Sequence, residues 1–224
     1  MQGRLIGINA VIFDCDGTLV DSEVPGLDVL HELTCSHGLR LSREQAHERF
    51  RGLRMANCIS WIGSQLDNKP PGFEIDFMNE VRIATDARFR QGLRALPGAH
   101  ELLQRIQMPF CVATNGPRNK VELTLGMTGL LPFFGERIFC AYEIGSFKPD
   151  PGLFLHAAGA LGVAPSLCAV VEDSLPGVQA GLEAGMQVFT LHPRIGVPSE
   201  IADQITFIEN LGVFDQHIHR HLQK

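Results

Sequence analysis

Residues 8–19 read INAVIFDCDGTL, a short apolar segment that runs directly into two carboxylates. Its Val and Ile residues and its unbroken apolar character predict a strand that is buried on both faces, as in a parallel sheet. Extended backbone repeats every two residues, so Asp14 and Asp16 are expected to face the same side just beyond this strand. Open α/β sheets bind ligands at the carboxyl ends of their strands, and the segment therefore predicts a site as well as a fold.

Four later segments resemble this strand in length and in apolar character. They lie at residues 110–113, 138–141, 168–171 and 188–191. Apolar residues at helical spacing occupy the intervals between strands, at residues 99–106, 153–161 and 176–184. This alternation of strand and helix predicts an α/β fold with a doubly wound, mainly parallel sheet.

Residues 21–92 interrupt the alternation and carry a helical pattern throughout. Their apolar residues predict four amphipathic helices, and Ser42 is expected to cap the second of them. A connection of this length normally carries structure of its own. We therefore predict an α/β core built from residues 1–20 and 93–224, with an α-helical cap domain inserted at residues 21–92.

The composition is that of an ordinary globular protein, since 45% of the 224 residues are hydrophobic and 20% are charged. A formal net charge of −6 disfavours nucleic acid and anionic membranes as partners, so any bound phosphate must be held by local groups. No apolar run approaches the roughly 20 residues that span a bilayer. We expect a cytoplasmic protein that works as a monomer, with a dimer left open.

The residues alone hold one alternative open and exclude several others. An isolated Asp-x-Asp-Gly fits a structural turn as well as a metal site. A helix-loop-helix calcium loop is excluded, because it would need Asp or Asn in place of Thr18 and Gly in place of Leu19. No cysteine is followed by Arg six residues later, which excludes a cysteine-based phosphatase. The sequence also lacks a Gly-x-Ser-x-Gly elbow and a Gly-x-x-x-x-Gly-Lys phosphate loop.

Four short motifs, taken in order, closely resemble those of the haloacid dehalogenase-like (HAD) phosphohydrolases. The first is the run VIFDCDGTLVDS at residues 11–22. The others are Thr114-Asn115 at a strand end, Lys148-Pro149-Asp150 before a helix, and Glu172-Asp173-Ser174 at another strand end. Together they span nearly the whole predicted core. Within the family, the chain is most similar to the 6-phosphogluconate phosphatase and β-phosphoglucomutase-like branch.

The resemblance implies a role for each matching position. Asp14 corresponds to the family's nucleophile, and Asp16 to its general acid and base. Thr114 corresponds to the residue that binds the transferring phosphoryl group, aided by backbone amides after it such as that of Asn115. Lys148 corresponds to the lysine that steadies phosphate and nucleophile together. These residue types suit phosphoryl transfer, which needs an in-line nucleophile and neutralised phosphate charge.

The resemblance also implies Mg²⁺ as a cofactor. Asp173 is expected to bind the ion directly and Glu172 either directly or through water, while Asp14 and the backbone carbonyl of Asp16 complete the ligand set. Mg²⁺ prefers oxygen ligands and would offset the repulsion among these carboxylates. Many relatives carry paired Asp or Gly-Asp where this chain has Glu172-Asp173, so the division of labour between the two stays open.

In the family that the chain resembles, a helical insert at this point is a mobile lid that closes over the substrate and selects it. Residues 49–54 of the predicted cap place three arginines around Gly52. Arg51, Gly52 and Arg54 are candidates for binding a second anionic or polar group of the substrate. A solvated basic helix end is the competing interpretation of the same residues, and the simpler one.

The implied function is hydrolysis of small phosphorylated metabolites, such as sugar phosphates or 6-phosphogluconate, through a phosphorylated Asp14. A β-phosphoglucomutase-like mutase shares the fold, cap and motifs and stays open, although Thr18 favours hydrolysis by resemblance. A haloacid dehalogenase would need neither Asp16 nor the Glu172-Asp173 pair. Outside the enzymes, a non-catalytic phosphometabolite-binding module would keep the metal pocket without turnover.

Overall fold

The computed structural model describes residues 7–51 and 53–222. The chain divides into two compact units. One joins the chain before Asp21 to the chain after Leu93, and the other is the segment Asp21–Leu93. Each unit has its own secondary structure and its own core.

The first unit contains a six-stranded parallel sheet in the order β3-β2-β1-β4-β5-β6. Its strands are β1 (Ala10–Phe13), β2 (Phe110–Thr114), β3 (Ile138–Cys140), β4 (Cys168–Glu172), β5 (Gln187–Thr190) and β6 (Thr206–Phe207). The predicted doubly wound α/β fold is confirmed. Five strands fall where the apolar runs predicted them, and β6 is the strand that the sequence did not indicate.

The segment Asp21–Leu93 is entirely helical between its turns. Its helices are α1 (Glu23–Ser36), α2 (Arg43–Phe50), α3 (Met55–Ser64) and α4 (Phe73–Arg90). Ser42 caps α2 as predicted, because its Oγ accepts from the backbone N–H of Gln45 at 3.2 Å and its own N–H donates to Oε1 of Gln45 at 2.8 Å. All four helices contribute buried apolar side chains to one core, among them Leu30, Phe50, Ile62 and Phe77.

Eight helices complete the described part of the first unit. They are α5 (Ala99–Arg105), α6 (Arg118–Met127), α7 (Leu131–Phe134), α8 (Ala141–Ile144), α9 (Gly152–Leu161), α10 (Leu175–Glu183), α11 (Ser199–Ala202) and α12 (Leu211–Leu222). Within the described part of the chain, every helix lacks either the length or the apolar character that a bilayer-spanning segment requires.

Both faces of the sheet are covered, which explains why its strands are apolar without alternation. On one face, Ile12 belongs to a buried cluster with Leu153 and Phe154 of α9. Phe13 points to the opposite face, where its ring centroid lies 6.1 Å from that of Phe214 on α12. Successive residues of β1 therefore serve two different cores.

The register of the sheet determines where the site lies. β1 is central, with Val11 paired to Phe110 of β2 on one side and to Ala169 of β4 on the other. All three strands run in parallel, so the loops that follow them leave the sheet at the same edge. This edge carries every core motif named in the sequence.

Candidate active site

The loop after β1 is a tight turn that fixes the first motif. The N–H of Asp14 donates to the Val171 carbonyl of β4 at 3.0 Å, and the N–H of Gly17 donates to the Val20 carbonyl at 2.8 Å. Gly17 has φ of 78°, and a Cβ added there would overlap the Asp173 carboxylate. Glycine is needed both for the left-handed backbone and for the close approach of Asp173.

Asp14 and Lys148 form a buried ion pair at the carboxyl edge. Lys148 Nζ donates to Oδ1 of Asp14 at 2.6 Å and to Oε1 of Glu172 at 2.6 Å. The Lys148 side chain is only 2% exposed, and its ammonium lies 4.8 Å from the centroid of the Phe154 ring. The structure thus brings three predicted site residues into direct contact, with one cation between two carboxylates.

Burial and crowded negative charge shape the protonation of this pair. Burial raises the pKa of Asp14; the Lys148 charge opposes that shift, the Glu172 and Asp16 charges add to it, and the result is a pKa of about 7. Burial lowers the pKa of Lys148, but the charges of Asp14 and Glu172 outweigh burial and hold that pKa well above its ordinary value. The lysine therefore stays charged, while Asp14 loses its proton less readily than a solvated carboxyl group.

The end of β4 and the start of α10 hold the two acidic residues of the fourth motif. Oε2 of the fully buried Glu172 accepts from the N–H of Ser174 at 2.9 Å and from its hydroxyl at 2.8 Å. A Cβ added at Gly177 would overlap the Glu172 carboxylate, so this helix position must stay small. Asp173 is half-buried, and its Oδ1 accepts from the Thr18 hydroxyl at 3.3 Å. Ser174, Thr18 and Gly177 are supporting residues whose roles the sequence did not reveal.

The turn after β2 carries the predicted phosphate-binding residues. Thr114 is buried at the strand end, and its Oγ1 accepts from the Gly116 N–H at 3.0 Å. A Cβ added at Gly116 would lie 3.3 Å from Oγ1 of Thr114 and 3.6 Å from Oδ2 of Asp16, so these two oxygens flank the same point. The Asn115 side chain joins this turn to the third motif, since Oδ1 accepts from the Lys148 N–H at 2.9 Å. The contacts predicted between phosphate and Thr114 or the Asn115 backbone stay predictions.

Lys120 is a site residue that the sequence motifs missed. It is the third residue of α6, and its Nζ donates to Oδ2 of Asp16 at 2.7 Å. Partial removal from water lowers the pKa of Lys120, but the charge of Asp16 outweighs that effect and holds the pKa above its ordinary value. The first turn of a helix disfavours positive charge, so a lysine at this position was a signal that an acidic partner lies nearby.

The acidic groups of the site fit a divalent cation. Asp14, Glu172 and Asp173 each offer a carboxylate oxygen, and these oxygens all lie within 4.8 Å of one another. With Asp16, the four carboxylates exceed the ammonium groups of Lys148 and Lys120 by two negative charges when all six are ionised. Hard oxygen ligands and a surplus of negative charge suit Mg²⁺.

The candidate substrate-binding residues within residues 49–54 lie in the helical unit. NH1 of Arg51 lies 3.0 Å from Oε2 of Glu23 in an exposed ion pair. Arg54 is exposed at the start of α3. Gly52 lies outside the described residues. Their contact with a substrate stays a prediction.

Comparison with known proteins identifies the family. The family model for haloacid dehalogenase-like hydrolases matches residues 8–185. The chain belongs to this family. This HAD hydrolase is 37% identical over 182 residues to the 6-phosphogluconate phosphatase of Escherichia coli (strain K12), with 81% of each protein covered.

Solved structures agree with this placement. A haloacid dehalogenase-like protein of unknown function from Agrobacterium tumefaciens matches with a TM-score of 0.80 and 30% identity, covering 96% of this chain and 99% of that one. A putative β-phosphoglucomutase from Thermotoga maritima matches with a TM-score of 0.76 at 24% identity, covering 93% and 99%, and shows the shared fold. The predicted family is confirmed, and so is the predicted similarity to 6-phosphogluconate phosphatase. Membership together with phosphatase relatives makes this HAD hydrolase a phosphoric monoester hydrolase.

Proposed function

We propose that this HAD hydrolase is a Mg²⁺-dependent phosphatase of sugar phosphates or sugar-acid phosphates, and that it acts through phosphorylated Asp14. The observation that carries the proposal is the buried contact of 2.6 Å between Asp14 and Lys148, with the oxygens of Glu172 and Asp173 within 4.8 Å. A carboxylate held beside a permanent cation and a metal site suits nucleophilic phosphoryl transfer.

In the first step, a carboxylate oxygen of Asp14 attacks phosphorus and the bond between phosphorus and the ester oxygen breaks. Asp16 gives its proton to the departing oxygen, which leaves as an alcohol. Lys148 and Thr114 contact the oxygens of the transferring phosphoryl group. Asp14, Glu172 and Asp173 would hold Mg²⁺, which supplies positive charge against the phosphate oxygens when bound.

In the second step, water attacks phosphorus while Asp16 accepts a proton from that water. The bond between phosphorus and Asp14 breaks, inorganic phosphate leaves, and the Asp14 carboxylate is restored. Asp16 ends the cycle protonated, ready for the next departing oxygen. The half-buried position of Asp16 suits this role because its side chain is 27% exposed and water can reach it.

The substrate class is proposed from two kinds of support. The relative from Escherichia coli is named 6-phosphogluconate phosphatase. Relatives from Thermotoga maritima and Escherichia coli are named phosphorylated carbohydrates phosphatase and hexitol phosphatase A, at 28% identity each. We further propose that the helical unit Asp21–Leu93 is the cap that selects the substrate, with Arg51 and Arg54 as candidates for contacting its far end.

A phosphate-release screen tests the proposal. Wild type and Asp14→Asn are incubated with 6-phosphogluconate, hexose phosphates, hexitol phosphates and p-nitrophenyl phosphate, with Mg²⁺ or with EDTA. Wild type should release phosphate from sugar or sugar-acid esters only with Mg²⁺, and the variant should release none. Full activity in EDTA would remove the metal from the proposal. Interconversion of hexose phosphates without phosphate release would instead indicate a mutase.

A further inference from the structure

Lys120 is a cation of the site that the four family motifs do not account for. Its ammonium donates to Oδ2 of Asp16 at 2.7 Å, across 104 positions of sequence. The local structure of α6 gives no reason for a lysine in the first turn, where the helix dipole opposes positive charge. The reason lies in the contact with Asp16.

The backbone of Asp16 is already fixed by the turn around it. The Gly17 N–H donates to the Val20 carbonyl at 2.8 Å, and the Val20 N–H donates to the Cys15 carbonyl at 3.0 Å. With the backbone held, the direction of the carboxylate depends on two side-chain torsions. A bond to an external donor can fix both.

Lys120 reaches Asp16 from an element that is itself fixed to the same loop. Thr124 lies four residues after Lys120, so both side chains lie on one face of α6. The fully buried Thr124 places its Oγ1 3.9 Å from Sγ of Cys15, the neighbour of Asp16. Val121 and Leu125 are buried as well, which holds the helix against the core. The ammonium is therefore presented by a rigid element rather than by a loop.

We propose that Lys120 is a positioning residue that fixes the Asp16 carboxylate toward the departing ester oxygen in the first step and toward the attacking water in the second. This inference rests on the proposed function, because it needs Asp16 as the acid and base. A misplaced acid slows proton transfer without removing the nucleophile, since small displacements of a catalytic group are costly.

The exposure of the pair makes this role testable without loss of the fold. The Lys120 and Asp16 side chains are 36% and 27% exposed, and ion pairs this accessible add little to the free energy of folding. A Lys120→Met variant should therefore melt within about 2 °C of wild type. A large loss of activity would then come from a displaced Asp16 carboxylate and not from unfolding.

The test compares two esters that differ in their need for an acid. The departing oxygen of p-nitrophenyl phosphate needs little protonation, whereas that of the best sugar phosphate needs a proton. Lys120→Met should lower kcat/KM about 10- to 100-fold on the sugar phosphate and less than about 3-fold on p-nitrophenyl phosphate, because kcat/KM reports the first step alone. Lys120→Arg should recover most of the loss because it keeps a cationic donor. The control Glu122→Gln, a 48% exposed residue of the same helix, should match wild type on both esters.

Three results would overturn the inference. Equal losses of kcat/KM on both esters, a rise in KM alone, or wild-type rates in Lys120→Met would show that Lys120 does not act through Asp16. Of these, a rise in KM alone would indicate that Lys120 contacts the substrate directly. If wild type is active and Asp14→Asn is inactive, such results remove only the role of Lys120. If wild type releases no phosphate from either ester, the proposed function fails and this inference fails with it.

Discussion

Two aspartates of one turn are each held by a lysine, in environments that differ sharply. The pair Lys148 and Asp14 is nearly dry, with side chains 2% and 11% exposed. The pair Lys120 and Asp16 is 36% and 27% exposed. The two contacts are almost equally short, at 2.6 Å and 2.7 Å, so their geometry does not distinguish them. What differs is access to water.

This difference matches the two proposed roles. A nucleophile benefits from a buried site, because its interactions with charged groups are stronger there. An acid and base must exchange protons with an alcohol and with water, so it must stay accessible. One Asp-x-Asp turn thus contains a buried aspartate and an accessible one, and each is paired with a lysine from a different part of the chain.

The largest effect should come from removing the charge of Asp14, the proposed nucleophile. Asp14→Asn keeps the shape of the side chain and can still accept from Lys148, but it loses the attacking charge. Turnover should fall about 10⁴-fold or more, with the fold retained. Steady-state phosphate release and circular dichroism would check this. Activity within about tenfold of wild type would remove Asp14 from the chemistry.

The next effect is a difference in the free energy of unfolding between variants of the two lysines. Lys148→Met leaves Asp14 and Glu172 buried without their cation, which should cost on the order of 3–5 kcal/mol in the free energy of unfolding. Lys120→Met should cost under about 1 kcal/mol. Urea unfolding of both variants without Mg²⁺ measures this difference. Equal losses would mean that burial does not distinguish the pairs.

The raised pKa of Asp14 should make the free energy of unfolding depend on pH. The pKa of Asp14 is about 7 in the folded protein and 3.8 ordinarily, so the folded state holds this proton more tightly. The resulting stability is complete below about pH 4 and is lost as the pH rises through 7, by up to about 4 kcal/mol without metal. Asp14→Asn should remove this part of the dependence of the unfolding free energy on pH. A profile unchanged by the substitution would contradict the raised pKa.

A smaller effect should come from the helix that supports Glu172. Gly177→Ala would push a Cβ into the Glu172 carboxylate and should lower activity or Mg²⁺ affinity about 10- to 100-fold. Gly159→Ala in α9 is the matched control, because no atom beyond its chain neighbours and the backbone of its own helix lies within 4 Å of the added Cβ. The control should stabilise the protein by about 0.5–1 kcal/mol at full activity. Similar activity in both variants would show that the position of Glu172 does not matter for activity.

The smallest expected effect concerns the helical unit. Arg51→Ala should raise KM about 3- to 10-fold for 6-phosphogluconate, whose far end carries a carboxylate, and should leave p-nitrophenyl phosphate unchanged. Arg43→Ala serves as the control, because Arg43 pairs with Asp28 on a neighbouring helix. An equal change in KM for both substrates would remove Arg51 as a specificity residue.

The sequence predicted those parts of the molecule that local rules determine. Apolar, β-branched runs such as Val11–Phe13 are buried on both faces and were recognisable as strands. Asp14 and Lys148 follow strands or precede helices in recognisable motifs, so their meeting at one edge could be expected. β6 was missed because Thr206–Phe207 has two residues and only intermediate burial, which leaves no apolar run to detect.

Contacts made by tertiary packing were harder to predict. Lys120 meets Asp16 only because α6 follows the turn after β2 and lies against the loop after β1. Gly177 is constrained by a carboxylate five residues earlier, on the other side of a turn. Neither residue has a composition or spacing signal of its own. The unfavourable charge of Lys120 in a first helical turn was the one local clue.

Trapping the covalent intermediate tests the central claim most directly. Wild type and Asp16→Asn are mixed with Mg²⁺ and p-nitrophenyl phosphate, whose departing oxygen needs little protonation. The mixtures are quenched in acid within milliseconds and digested for mass spectrometry. We expect one phosphoryl group on the peptide that contains Asp14, accumulating further in Asp16→Asn because breakdown of the intermediate needs the base. A phosphoryl group on another residue, or steady turnover with no labelled peptide at any time, would contradict the mechanism.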